Sequence, residues 1–472
     1  MKPPFDLQRS APLFLAGMLL SCASLAAAAA NNPVPSVVGP VIPQAVAPGS
    51  QAFVLHVYGA GFVSGAVVNW NGKARTTTFV SARELQAQIL ASDVATPTAG
   101  YITVTNPVPG GGKSSSSYGL VEVHLPTAGV VVNRPKAYDV KTPVWSTVTA
   151  DFNGDGILDL VAGSAGLLSL VGNGNGTFRF GALVDKGLTP PPLGMVFGDF
   201  NNDGLLDLAF TRDGSVAVLK GNGKGGFRTV GSFGNFTFVH RVVVGDFNRD
   251  GKLDLAVADS GGKVSILLGN GDGTFGAQTD YTSLEYPFDI ATADFNGDGI
   301  LDLAVLSNTN QGAVSIFLGN GDGTFAAPNT ITLGAYVGFN SFGVTVLVND
   351  FNNDGKSDLA ILQDDKIAVL LGNGDGTFHA AVYHKTNGGG NAMSFTAGDF
   401  NSDGKTDLAI SVENGHKLSV FLGNGNGTFQ RLTSVLAGPG SSTGVVPGDF
   451  NSDGLLDLVL QEDTGDYVYT QQ

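Results

Sequence analysis

Apolar and polar positions along this chain alternate in short runs and form no long helical stripe. Stretches such as FVLHVYGAGF (53–62), YITVTNP (101–107), DLAVLS (302–307) and AVSIFLGN (313–320) are rich in β-branched and aromatic residues and are bounded by Gly, Asn and Asp. That pattern predicts strands joined by tight turns, and so an all-β protein. Between 34 and 125 the strand signals FVLHVYGAGF, AVVNWNG (66–72), ELQAQIL (84–90), YITVTNP and YGLVEVHL (118–125) come at the spacing of a small β-sandwich. The stretch VPGGGKSSSSYG (108–119) has a linker's composition, but a strand follows at once, so a hairpin turn is expected.

From 129 to 472 the pattern becomes periodic. DFNGDGILDL (151–160) recurs in close copies whose first Asp falls at 151, 199, 246, 294, 350, 399 and 449, at intervals of 48, 47, 48, 56, 49 and 50 residues. Each period reads as strand, acidic loop, strand, turn, strand, Gly-rich turn, strand, which is one propeller blade. The Gly-rich turn appears six times, as GNGNGTF (172–178 and 423–429), GNGKGGF (221–227) and GNGDGTF (269–275, 319–325 and 372–378). Its Gly and Asn suit the positive φ of tight hairpins. No helix follows, so it is no dinucleotide fingerprint. The seventh period ends at YVYTQQ without this turn, whereas RPKAYDV (134–140), ahead of the first loop, resembles a fourth strand. A strand from the N-terminal side is expected to complete the last sheet, closing a seven-bladed β-propeller with no free edge.

The acidic loops carry the candidate chemistry. Positions 1, 3, 5 and 9 are Asp151, Asn153, Asp155 and Asp159 in the first loop and Asp199, Asn201, Asp203 and Asp207 in the second. The third has Asp246, Asn248, Asp250 and Asp254, and the fourth Asp294, Asn296, Asp298 and Asp302. The fifth has Asp350, Asn352, Asp354 and Asp358, the sixth Asp399, Asn401, Asp403 and Asp407, and the seventh Asp449, Asn451, Asp453 and Asp457. Alternate oxygens on a sharply bent loop converge, and several carboxylates together suit a hard cation, Ca²⁺ before Mg²⁺. Up to seven Ca²⁺ are expected, with the position-7 carbonyl, such as that of Ile300, as a further ligand. An EF-hand is excluded: position 12 is Ala162, Phe210, Val257, Val305, Ile361, Ile410 or Leu460, never Glu.

Composition adds to this picture. The net charge is −16, and the seven loops hold 21 of the 41 acidic residues, so the acidity belongs mostly to the loops. It argues against nucleic acid as a partner. Residues 1–30 read as a signal peptide: Lys2 and Arg9, then APLFLAGMLL (11–20), then small residues at Ala26–Ala30. The only cysteine, Cys22, lies inside it, so the mature chain is expected to be secreted or displayed on the cell surface without disulfides. The sequence Leu19-Leu20-Ser21-Cys22 also matches a lipoprotein cleavage box, which leaves lipid anchoring through Cys22 as an alternative. No later stretch is long enough to span a bilayer.

Two resemblances follow from these residues. The order Gly59-Ala60-Gly61-Phe62, Val67-Val68-Asn69-Trp70-Asn71-Gly72, Thr78-Phe79-Val80-Ser81 and Val104-Thr105-Asn106-Pro107 resembles an IPT/TIG domain. This implies an immunoglobulin-like sandwich over 34–125 that serves as an interaction or spacer module. Phe62 and Trp70 are expected in its core and not in a binding patch. The D-F-N-x-D-G-x-x-D loops, with their strands and turns, resemble FG-GAP (VCBS) repeats, the family of the integrin α-subunit propeller. This implies Ca²⁺ in hairpin loops on one face of a ring over 129–472, with partners meeting the opposite face.

That opposite face should carry the connections between repeats, whose aromatic residues are Trp145, Phe236, Tyr286, Tyr336 and Phe339. Most of them are expected to pack the connections onto the ring. No HExxH or GxSxG motif is present, and the adjacent Asp364 and Asp365 read as a solvated turn. The expected function is non-enzymatic: a calcium-binding adhesion module for an extracellular glycan or protein. A carbohydrate-active enzyme of the polysaccharide-lyase kind and a purely structural surface spacer are the alternatives.

Overall fold

The computed structural model describes residues 31–114, 119–127, 130–133, 135–138, 143–186, 188–309, 311–334, 345–363, 366–386, 392–412, 417–431, 435–436 and 442–471. The expected signal peptide with Cys22, and Tyr336, Phe339, Asp364 and Asp365, lie outside them. Apart from one 3-10 turn at Ala91–Asp93, every regular element described is a strand. No described helix is long and apolar enough to cross a membrane.

The N-terminal region forms two sheets. One runs in the spatial order Ser36–Ile42, Phe53–Ala60, Glu84–Ile89, Thr77–Phe79. The other runs Ala45–Val46, Leu120–Val123, Thr98–Asn106, Val67–Trp70, Lys73–Ala74, with Gly112–Lys113 paired to Thr98–Asn106. Alternation along these strands gives one core from both sheets, including Leu55, Val57, Leu85, Val104 and Val121. Phe62 and Trp70 are 1% and 2% exposed within it, so both are packing residues.

Seven sheets follow in the described residues, each with its four main strands in spatial order. The fourth, Pro287–Ala293, Asp302–Ser307, Ala313–Phe317 and Asn329–Thr332, shows the design. Its second strand is buried at every position, while its fourth is exposed except at the half-buried Ile331. Leu303 and Val305 pack against the third sheet, and Ala304 and Leu306 against the fifth. One strand thus feeds two cores through its period of two, which explains why DLAVLS is apolar throughout and not alternating. First strands of successive sheets are neighbours around the ring, and that of the seventh sheet returns to that of the first. Lys136–Tyr138 pairs with Gly465–Tyr469, so the last sheet takes its outer strand from ahead of the first loop. Repeated four-stranded sheets in this arrangement make a β-propeller.

Candidate functional site

Each acidic loop joins the first strand of a sheet to the second. The bend has a backbone cause: position 6 is Gly with φ between 78° and 89° in all seven loops. Position 4 also takes positive φ in all seven, although Asn202, Arg249, Asn353, Ser402 and Ser452 stand there in five. Position 6 is uniformly Gly in the sequence; position 4 is Gly or Asn in four loops, which hints at a left-handed bend, but Arg249, Ser402 and Ser452 do not.

In the fourth loop the Asp294 carboxylate accepts the N–H groups of Gly297 at 2.6 Å, Asp298 at 3.2 Å and Gly299 at 2.8 Å. Asn296 Oδ1 accepts Asp298 N–H at 3.0 Å, and Asp298 Oδ1 accepts Ile300 N–H at 2.8 Å. Oxygens at positions 1, 3 and 5 thus hold their own loop. Positions 1, 3 and 5 of the expected ligand set lie on one short bend.

Position 9 does something the sequence does not announce. Asp302 Oδ2 accepts Phe295 N–H at 2.9 Å, and its Oδ1 accepts Gly319 N–H at 2.8 Å, at the start of the Gly-rich turn. The same pair of bonds recurs at Asp159, Asp207, Asp254, Asp358 and Asp407. In the seventh sheet, which lacks the turn, Gln471 N–H takes the place of the Gly donor to Asp457 at 2.7 Å. All seven position-9 carboxylates are at most 1% exposed.

The position-2 Phe links each loop to the next repeat. Phe295 meets Phe378 edge to face at 5.6 Å, and its carbonyl accepts Gly376 N–H at 2.9 Å. Phe247 with Phe325, Phe351 with Phe429 and Phe450 with Phe178 repeat this contact. At the missing seventh turn, Gln471 Nε2 donates to the Phe400 carbonyl instead. Loops and Gly-rich turns therefore interlock into one belt: position 9 ties a loop to its own turn, and position 2 ties it to the next.

The belt concentrates buried carboxylates. Burial, with neighbouring loop carboxylates adding to it, pushes Asp254, Asp407 and Asp457 up to about 8. Asp302, Asp358 and Asp399 rise to about 7 for the same reason. The donor set of carboxylate, amide and carbonyl oxygens fits a hard cation in kind. Among the described residues, no three carboxylate, His or Cys side chains close into a metal cage. In each loop the carboxylates at positions 1 and 9 are near enough to feel each other, as at Asp294 and Asp302.

Six copies of one family model, described as the FG-GAP-like repeat, match residues 151–210, 199–257, 246–305, 294–347, 350–410 and 409–460. The chain belongs to the FG-GAP-like repeat family. No match to this FG-GAP-like chain is found among curated proteins. Of solved structures, BBS1N in complex with ARL6DN is similar at 15% identity and a TM-score of 0.51, over 72% of this chain and 96% of that one. This likeness shows a shared fold. A lectin of Agrocybe aegerita that recognises non-reducing terminal N-acetylglucosamine is 20% identical, with a TM-score of 0.48 over 70% and 87% of the two chains. An auxiliary nutrient binding protein of Bacteroides ovatus is 10% identical, with a TM-score of 0.39 over 93% and 98%.

Outside the FG-GAP-like loops, the connections between repeats place the aromatic residues singled out in the sequence differently from one another. Phe236 is 6% exposed, Trp145 is half-buried and Tyr286 is 55% exposed. Sequence reasoning missed His240, whose ring stacks on Phe288 at 4.2 Å and meets Phe238 at 4.8 Å. Burial lowers His240 to about 4, so this ring is neutral at physiological pH.

A second carboxylate store is Asp466, on the last strand. It is fully buried, neither oxygen has a hydrogen-bond partner, and burial raises it to about 7. Folded chains therefore hold a proton there over a range where unfolded chains have lost it, so stability falls as pH rises from about 4 to about 7. Asp466→Asn should remove this loss. Urea unfolding is expected to show a gain of up to about 4 kcal/mol at pH 8, shrinking toward zero at pH 4. A gain that is the same at both pH values would contradict it.

Proposed function

We propose that the chain is a seven-bladed propeller preceded by an immunoglobulin-like sandwich of the IPT/TIG kind, secreted or displayed at the cell surface, and that it binds an extracellular glycan or protein without catalysing a reaction. Ca²⁺ is the structural cation of the acidic loops, held by the oxygens at positions 1, 3, 5 and 9 and supplying positive charge where the belt concentrates carboxylates. Repetition supports this division of labour. Seven loops with one hydrogen-bond scheme suit a scaffold, whereas recognition needs residues that differ around the ring.

The observation that carries the binding role is the aromatic group on the connections 231–241 and 281–288. Phe238, 39% exposed, meets the His240 ring of the His240–Phe288 stack, and Tyr286, two residues before Phe288, is 55% exposed. Exposed rings held by a rigid stack suit the apolar faces of sugars or an aromatic-gripping protein contact. A glycan array probed with the chain in calcium is the test. Phe238→Ala and Tyr286→Ala are expected to reduce binding at least tenfold with the melting temperature unchanged. An array silent for the unmodified chain would leave the spacer role instead.

A further inference from the structure

The seven loops are alike in sequence but not in surroundings. The N-terminal two-sheet unit rests on them, and position 6 shows how closely. A Cβ at Gly251 would meet the Asn32 carbonyl at 2.8 Å, and one at Gly355 the Tyr58 ring at 3.0 Å. At Gly299 it would overlap the Ala82 side chain, and at Gly454 the Thr98 backbone. At Gly156, Gly204 and Gly404 it would meet nothing within 4 Å. In four loops, then, glycine serves both the left-handed bend and the approach of another part of the chain.

Polar contacts reach the same four loops and, in addition, the sixth, where Thr127 N–H donates to the Asn401 carbonyl at 2.8 Å. Val34 N–H donates to Asp246 at 2.9 Å, and Arg83 donates to the Gly355 carbonyl at 2.7 Å. Gly61 N–H donates to the Gly299 carbonyl at 3.2 Å. His124 Nε2 donates to the Asp453 carbonyl at 2.6 Å, and the Tyr101 hydroxyl bonds Asp449. These partners are loop groups, several of them the ion-ligand candidates or their immediate neighbours. A cavity of about 1180 Å³ lies between the unit and the ring, with Tyr101, Phe197 and Phe395 in its wall.

The sixth loop adds a sharper observation. Glu122, from the N-terminal unit, is 2% exposed. Ser402 Oγ donates to its Oε2 and the Leu456 N–H also reaches the carboxylate, while Oε1 is left without a close partner. Its charged neighbours are Asp399 and Asp407, themselves 4% and 0% exposed. All three buried carboxylates around this one contact can be ionised together only if positive charge lies among them.

We propose that the loop face is a cation-dependent interaction surface whose partner is the chain's own N-terminal unit: ions in the covered loops hold that unit down, and Glu122 against the sixth loop is the contact most sensitive to them. This rests on the calcium reading above. Coupling is reciprocal, so a docked unit also tightens ion binding in the loops it covers. Release of the unit would open the cavity.

Hydrogen exchange on the whole chain tests this, with calcium counted separately by titration calorimetry. On chelation, peptides containing Tyr58, Ala82, Tyr101 and Leu120–Val123 should exchange at least tenfold faster. Glu122→Gln should retain most of their protection without calcium. Ala82→Arg, a wedge over Gly299, should weaken calcium binding in the covered loops and leave the first two loops unchanged. Calcium binding without any change in exchange would overturn the coupling and spare the calcium reading. No calcium bound would overturn both. Exchange in Glu122→Gln that still rises as in the unmodified chain would remove Glu122 from the device.

Discussion

Asp302→Ala is expected to destabilise the ring by roughly 2–6 kcal/mol even with calcium chelated, because it strips two buried N–H donors of their acceptor at about 1–3 kcal/mol each. Those donors are Phe295, which joins the loop to the first strand, and Gly319, which opens the turn before the fourth. Asp298→Ala is the control. Asp298 is exposed, and its loss frees only groups at the surface, the Ile300 N–H and the Asn296 side-chain amide, so about 0.5–1 kcal/mol is expected. Asp302→Asn keeps one oxygen and should fall between them. Urea unfolding in chelator gives all three values at a pH near 4, where Asp302 is protonated in the folded chain and relief of its buried charge offsets the loss least. Equal losses for Asp302→Ala and Asp298→Ala would mean that position 9 is only an ion ligand and not a latch.

Calcium added to chelated protein should raise the melting temperature by at least about 10 °C. A site at a hundredfold its dissociation constant contributes about 2.7 kcal/mol, and as many as seven sites act on one ring. The effect should be larger at pH 8 than at pH 6. Asp254, Asp407 and Asp457 sit at about 8 and Asp302 at about 7 when protonated by burial, so protons neutralise the belt at the lower pH and compete with the ion. Calorimetric scans at both pH values measure this. A melt indifferent to calcium at either pH would sink the structural-ion reading.

Much of the architecture was legible in the residues. The period near 50, the Gly at position 6 and the strand-like RPKAYDV led to repeated four-stranded sheets and to a last sheet completed from ahead of the first loop. These features are local: a turn needs Gly where φ is positive, and a strand buried on both faces needs Leu, Val and Ala throughout. Phe62 and Trp70 were readable as core because they lie within strand patterns. Position 4 was only partly readable, since Gly or Asn marks it in four loops while Arg249, Ser402 and Ser452 take the same positive φ inside the same hydrogen-bonded bend.

Contacts between repeats, and between the two regions, are of another kind. Nothing in DFNGDGILDL says that its Phe will meet the ring of the next turn, or that its last Asp will hold the present one, since those partners lie 17 to 83 residues away and are brought near by the closing of sheets into a ring. Seven similar loops also look equivalent along the chain. Their difference arises when the N-terminal unit settles on the ring, covering Gly251, Gly299, Gly355 and Gly454 and leaving Gly156 and Gly204 open. A linear repeat states which oxygens a loop offers. Which loops are buried under another part of the same chain, and which carboxylates such as Glu122 are pressed against them, depends on packing between surfaces far apart in sequence.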